Sequence, residues 1–360
     1  MADEKSRVAW LVNALPSIVS GGVHAVQGCD YSIRLDARDS DDCAVVSIDG
    51  VGDLVVGTDY IRGPKFLLYE KGFLGNADIG RFLVTANISD IAAMGAAPIG
   101  ILVVVRYPSE MGLEQFRDVM AGIDDGCRAY NARLLGGDTG SAERLILSGT
   151  AIGLTTAGKA LSRSTAEPGD VVIVTGLIGG AGAAIQAGRV ELVRDLTSAV
   201  WESLLDCWRR PVAQPRLGRW LSDAGFRVTC QDVSDGLRAT AREIGELNSL
   251  AVVLQGEALP LHPGVEPVAR LMNVDPVGLG LSASTDFVLV VTCAAHHADA
   301  ILEGVSACGY EGRAVGHLEP GSGVWLQHED GLRVPAPGVE WRNQVGEVTE
   351  DMLRGLQEET

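Results

Sequence analysis

The stretch from Asp78 to Val105 constrains the fold more than any other. Ile79–Met94 reads as a helix: Asp78 stands where an N-cap belongs, Gly95 stops it, and Pro98 keeps it from resuming. Ile99–Val105 then runs apolar without a break, the pattern of a strand covered on both faces. A helix delivered straight into such a strand asks for helices packed on a sheet, an α/β arrangement.

The rest of the chain repeats the theme. Residues 1–40 open with an amphipathic helix pattern and continue into a glycine-containing stretch. Cys43–Ile48 and Leu54–Thr58 are strand patterns joined by the turn Asp49-Gly50-Val51-Gly52. A helix near Leu113–Tyr130 and strands at Arg133–Leu135 and Leu145–Leu154 complete a first half. Thr155–Asp170, punctuated by Gly158, Pro168 and Gly169, reads as a connector. A second half opens with the strand Val171–Thr175. It continues through helices near Ala199–Cys207, Leu217–Ala224 and Leu237–Glu246, the strand Phe287–Thr292 and a helix at Ala295–Cys308. With 360 residues the chain is long for one domain and comfortable for two. The expected division is 1–155, 156–345 and a C-terminal tail at 346–360.

Charge narrows the partners. With 47 acidic against 29 basic residues the formal charge is −18, which repels nucleic acid and anionic lipid. A nucleotide stays admissible because magnesium can sit between carboxylates and phosphates. The seven cysteines are odd in number, widely spaced and without a Cys-x-x-Cys pair, which argues against a disulfide framework or a zinc site and for a reducing cytosol. The start MADEKSRVAWLVNAL lacks the basic and apolar regions of a signal peptide, and no apolar run approaches a membrane span, so a cytoplasmic protein is expected.

The chemistry-bearing pattern is a set of aspartates at turns beside apolar strands. They occur in Asp41-Asp42-Cys43, Thr58-Asp59, Asn87-Ile88-Ser89-Asp90, Gly136-Gly137-Asp138-Thr139 and Asp232-Val233-Ser234-Asp235-Gly236. Each alone is more economically read as a turn or a cap. Together they make a set of hard anionic ligands suited to magnesium and a polyphosphate. The run Gly176–Gly182 lacks the Lys-Ser/Thr of a P-loop and reads as a plain strand-to-helix turn. The adjacent pair His296-His297 points to different faces of its helix, and Cys43 and Cys230 read as buried packing.

The motifs DDCAVV, TD, ADIGRFLVTANISDIAAMGAAP, LLGGDTG, LSRSTAEPGDVVIVTG, RRPVAQPRLG and QDVSDGL occur in one order along the chain. In that order and spacing they resemble the thiamine-monophosphate kinase family, part of the aminoimidazole-ribonucleotide synthetase and selenophosphate synthetase superfamily. The resemblance runs from about Asp41 to at least Thr292. It implies an N-terminal α/β domain that pairs with its copy to form a dimeric β-barrel, and a C-terminal α/β domain that closes over ATP. It implies Mg2+ ligands at Asp42, Thr58, Asp59, Asp90, Asp138, Asp232 and Asp235, with Gly57 where the family often has a hydroxyl residue. It implies ATP contacts at Gly137, Asp138, Arg163 and Ser234, and assigns the transfer itself chiefly to Asp138, Asp235 and Arg163. The implied reaction converts thiamine phosphate and ATP to thiamine diphosphate and ADP.

Two substrate-side elements depart from the family. Tyr60-Ile-Arg-Gly63-Pro64-Lys65-Phe66 stands where the family carries Gly-x-His-Phe, and Thr285 replaces the glutamate of Gly-Gly-Glu-Asp-Tyr-Glu-Leu. Lys65 and Thr285 therefore mark the acceptor side as altered, with thiamine phosphate expected to be a poorer acceptor than in an ordinary member. Three readings remain open at this stage: a thiamine-phosphate kinase, a related ATP-dependent kinase or synthase acting on another small molecule, and a non-catalytic scaffold or maturation protein.

Overall fold

A computed structural model describes residues 23–26, 29–61 and 63–340 of the chain. The N-terminal helix and the tail at 346–360 expected from sequence lie outside the described residues. Two seven-stranded sheets organise the molecule. The first contains β1 (Val23–Val26), β2 (Cys29–Leu35), β3 (Ala44–Ile48), β4 (Gly52–Tyr60), β5 (Ala97–Tyr107), β6 (Arg133–Ser141) and β7 (Ile146–Thr155), in the order β1-β2-β3-β4-β7-β5-β6. The second contains β8 (Asp170–Val174), β9 (Val228–Asp232), β10 (Leu250–Gln255), β11 (Leu289–Ala294), β12 (Arg313–Pro320), β13 (Val324–Gln327) and β14 (Arg333–Pro335), in the order β14-β13-β10-β12-β8-β11-β9. Among the described residues the parallel neighbours are β5 with β6 and β10 with β13. The class is thus mixed α/β with largely antiparallel sheets, and among the described residues neither sheet closes into a barrel.

Helices α1 (Asn76–Ala93) and α2 (Leu113–Ala129) pack on the first sheet, while α3 (Gly180–Arg189), α4 (Ser198–Arg209), α5 (Pro215–Ala224) and α6 (Leu237–Asn248) belong to the second half. The first of these is the centre of the molecule. Its sequence is apolar or small almost all round, which fits a helix buried on every side rather than on one stripe. The Asp78 carboxylate accepts a hydrogen bond from the Gly75 amide at 2.9 Å, so Asp78 lies inside the first turn and the helix starts three residues earlier than the sequence pattern suggests. One side of α1 covers the first sheet. The other is gripped by the second half: Phe82 stacks on Trp208 with centroids 4.8 Å apart and meets Phe287 edge-on at 5.3 Å. A Cβ on Gly218 of α5 would stand 1.9 Å from the Ala92 carbonyl oxygen, so only glycine lets these two helices meet this closely.

Strand β5 corrects an expectation. It is apolar on both faces, yet only one face is covered. Ile101, Val103 and Val105 are buried under α1, whereas Ile99, Leu102 and Val104 are 41%, 41% and 37% exposed. Leu134 and Leu135 of β6 and Ile146 of β7 extend the exposed apolar surface. The glycine pair of β6 also differs from the turn expected there. Gly136 and Gly137 are extended strand residues at φ 143° and 148°, and a Cβ on Gly137 would strike the Val103 carbonyl oxygen at 1.7 Å.

Candidate active site

The site forms where α1 ends between the two sheets. Asp42 precedes β3, Asp90 lies in the last turn of α1, and Asp232 ends β9. These three carboxylates bring one oxygen each within 4.8 Å of one another. Two come from the first half and one from the second. The bridge between halves is a hydrogen bond: Ser89 Oγ donates to Asp232 Oδ2 at 2.5 Å. Aspartates at these spots are folded in, not floating. Thr240 Oγ1 of α6 donates to the Asp232 carbonyl at 3.2 Å, and Gly236, at φ 94°, turns the chain from β9 into α6.

Arg163, in the connector after β7, enters this group from the side. Its guanidinium pairs with Asp42 and lies 3.7 Å from Asp41 and 3.4 Å from Glu243. Asp41 fixes the connector: it accepts from Ser162 Oγ at 2.6 Å and from the Arg163 amide at 3.2 Å. Glu243 of α6 is in turn held by Gln231 Nε2 at 2.7 Å. Asp41 therefore positions Arg163, and Asp42 faces the cluster. Sequence reasoning missed Glu243, which sits mid-helix in no motif, and Ser89 as the inter-half donor.

The electrostatics follow from carboxylates crowded out of water. Burial pushes the Asp42 and Asp90 carboxyls well above the usual range. Asp232 adds like charge to both, while Arg163 pulls Asp42 back. Burial raises Asp232 to about 6 against the Ser89 hydrogen bond and Arg163. Asp59 adds like charge to Asp90, and Asp235 to Asp232, so both stand close to the cluster. Asp42 Oδ2 is buried without a hydrogen-bond partner. A buried orphan oxygen beside two further hard carboxylates fits a magnesium ion, whose preferred donors are oxygens.

Two expected ligands stand apart. On β4, Asp59 faces the covered side of the sheet, its amide donating to Asn87 Oδ1 at 3.2 Å. Its neighbour Thr58 faces the exposed side, where its hydroxyl donates to the Gly149 carbonyl at 2.7 Å. Asp138 is on that exposed side too, 64% exposed and paired with Arg106 at 2.5 Å. The register runs Asp59–Gly149–Val103–Gly137 across the sheet. Three strand spacings, about 14 Å, therefore separate Gly137 from Asp59. Gly137 and Asp138 do not join the cluster of their own chain.

A family model described as "AIR synthase related protein, N-terminal domain" matches residues 40–155. A thiamine-monophosphate kinase from Methanopyrus kandleri is 34% identical over 251 residues, 70% of this chain and 76% of its own. The chain belongs to the thiamine-monophosphate kinase family. The Bacillus subtilis thiamine-monophosphate kinase is 32% identical over 230 residues, 63% of this chain and 70% of its own. The solved thiamine-monophosphate kinase of Stenotrophomonas maltophilia K279a superposes with a TM-score of 0.69 at 28% identity, over 84% of this chain and 92% of that one.

Against the thiamine-monophosphate kinase pattern, the two departures take on distinct positions. Lys65 is 8% exposed, and its positive charge favours the ionised forms of Asp90 and Asp232, so it is turned inward on the carboxylate side rather than out to solvent. Thr285 is 1% exposed with an unpartnered hydroxyl, turned into the protein. Its neighbour Asp286 accepts from the Gly179 amide at 2.8 Å, and Ser284 Oγ accepts from the Gly182 amide at 2.9 Å. These bonds consume the first amides of α3, so the Gly176–Gly182 run is a braced strand-to-helix turn, as its sequence reads, and not a phosphate cradle. Cys43 and Cys230 are buried, and burial raises both thiols well above their usual range, which keeps them unreactive.

Proposed function

We propose that this chain transfers the γ-phosphoryl group of ATP to thiamine monophosphate, releasing thiamine diphosphate and ADP. The observation that carries the reading is the convergence of Asp42, Asp90 and Asp232 from both halves, with Arg163 entering beside them. A non-bridging oxygen of the acceptor phosphate attacks the γ-phosphorus while the bond to the ADP oxygen breaks. That oxygen is already ionised at neutral pH, so no strong base is required. Magnesium held by Asp42, Asp90 and Asp232, with Asp59 and Asp235 close by, would neutralise phosphate charge. Arg163 leaves Asp42 for the γ-phosphate and stabilises the charge spread in transfer, with Ser234 contacting the nucleotide beside it. Lys65 holds the acceptor phosphate, a role that suits an ammonium set among carboxylates better than contact with the thiamine cation.

A homodimer completes the assignment. The exposed apolar face of β5, β6 and β7 needs covering. A second copy laid on it would build the shared barrel and present its own Gly137 and Asp138 to the cluster, which explains their distance within one chain. The unit that pairs is residues 1–155, and 156–345 forms the ATP-covering unit.

The deciding experiment measures ADP release with magnesium, with and without thiamine monophosphate, in wild type and Asp232→Asn. Expected are acceptor-dependent release in wild type and a loss of at least about 100-fold in the variant, since removing one charge-stabilising group typically costs that much. Release that ignores thiamine monophosphate removes the acceptor assignment, and release unchanged in Asp232→Asn removes the site.

A further inference from the structure

A second cleft opens between the two halves, away from the carboxylate cluster. Its volume is about 790 Å3, within the range of small-molecule sites. Four arginines line it, Arg81, Arg210, Arg216 and Arg219, against a single carboxylate, Asp125. In a chain of formal charge −18 such a concentration of positive charge is unexpected. Two of the arginines are already engaged: Arg81 with Asp125, and Arg219 with Asp223 at 2.9 Å. The other two have no carboxylate partner among the described residues. Among the described residues Arg216 donates to the Ala307 carbonyl alone, at 3.3 Å, and the Arg210 side chain makes no hydrogen bond or ion pair.

The walls are preformed. Tyr130 lines the cleft with its hydroxyl already committed, accepting from the Ala213 amide at 2.9 Å and donating to the Pro211 carbonyl at 3.3 Å. Its ring, with Tyr310, Pro98 and the 53%-exposed Val212, supplies flat and apolar surface. The cleft lies on the far side of α1 from the active site: Arg81 and Asp90, nine residues apart on that helix, stand on opposite sides of it.

We infer that this cleft binds a phosphorylated, ring-bearing small molecule of nucleotide size, without a metal ion, at a site separate from the carboxylate cluster. Arg210 and Arg216 meet the phosphates, for which guanidinium groups are suited by shape and fixed charge. Tyr130 and Tyr310 meet the ring. The test titrates the full chain calorimetrically with ADP in EDTA, which withholds metal from the carboxylate cluster. Expected is one ADP bound per chain, with affinity at least tenfold lower in Arg210→Ala/Arg216→Ala and unchanged in Asp232→Asn. Inorganic pyrophosphate, lacking a ring, binds several-fold more weakly than ADP. Absence of binding in EDTA, or binding indifferent to the arginine changes, overturns the inference. Loss of binding in Asp232→Asn also overturns it, and pyrophosphate matching ADP removes the ring contact.

Discussion

Asp232 is asked to be an anion in a place where anions are costly. Water is excluded, Asp42 and Asp90 are adjacent, and the compensating groups are the Ser89 hydroxyl, Arg163 and Lys65. A divalent cation relieves that repulsion only in the folded state, because the unfolded chain scatters the three carboxylates. Millimolar magnesium is therefore expected to raise the melting temperature of wild type by several degrees and that of Asp232→Asn by much less. Equal shifts in a thermal scan would show that the ion binds elsewhere. At this scale the sequence is legible where a residue sits in a recurrent turn motif: Asp42, Asp90 and Asp232 could be named from it. Glu243, Gln231 and the inward burial of Lys65 could not, since each depends on which helix face or loop path the rest of the fold turns toward the cluster.

Helix α3 carries a pH dependence of its own. Its first amides bind Asp286, whose carboxyl burial pushes up to about 6. The folded value lies above the unfolded 3.8, so the folded state binds the extra proton. Stability from this group is greatest at acid pH and falls as pH rises from about 4 to about 6, by roughly 1–3 kcal/mol. Denaturant titrations in EDTA should show wild type losing more stability across that window than Asp286→Asn, and parallel curves would refute the assignment. Elements also mark where sequence patterns mislead. β5 reads as a strand covered twice because nothing in an apolar run says whether the second cover comes from the same chain. The sequence pattern of β6 stops at Leu135 because a glycine pair signals a turn, whereas here two glycines adopt an extended form that only glycine tolerates. Helices α1, α2, α5 and α6 lie within a few residues of where their sequence patterns put them.

The whole molecule is one chain with an unfinished surface. Ile99, Leu102 and Val104, with their neighbours on β6 and β7, form an apolar face that nothing in the described chain covers. Light scattering should give twice the chain mass for wild type and the single-chain mass for Leu102→Glu/Val104→Glu, whose changes lie on the exposed face and leave the chain's own core intact. A wild-type monomer at micromolar concentration would contradict the proposed pairing. The alternation of strand and helix patterns on either side of Thr155–Asp170 reads as two α/β halves, and the strands of the two sheets fall on either side of that segment. What could not be read was the sharing of α1: its inner residues serve the first sheet while Phe82, Ser89 and Ala92 serve the second half. That sharing separates the continuity of the polypeptide from the integrity of the body. Thr156–Lys159 is an exposed turn between the two halves, the kind of segment at which a protease cuts. Cleavage there would yield two fragments in denaturing conditions and a single undivided particle otherwise, because each fragment would still hold part of the other's interior.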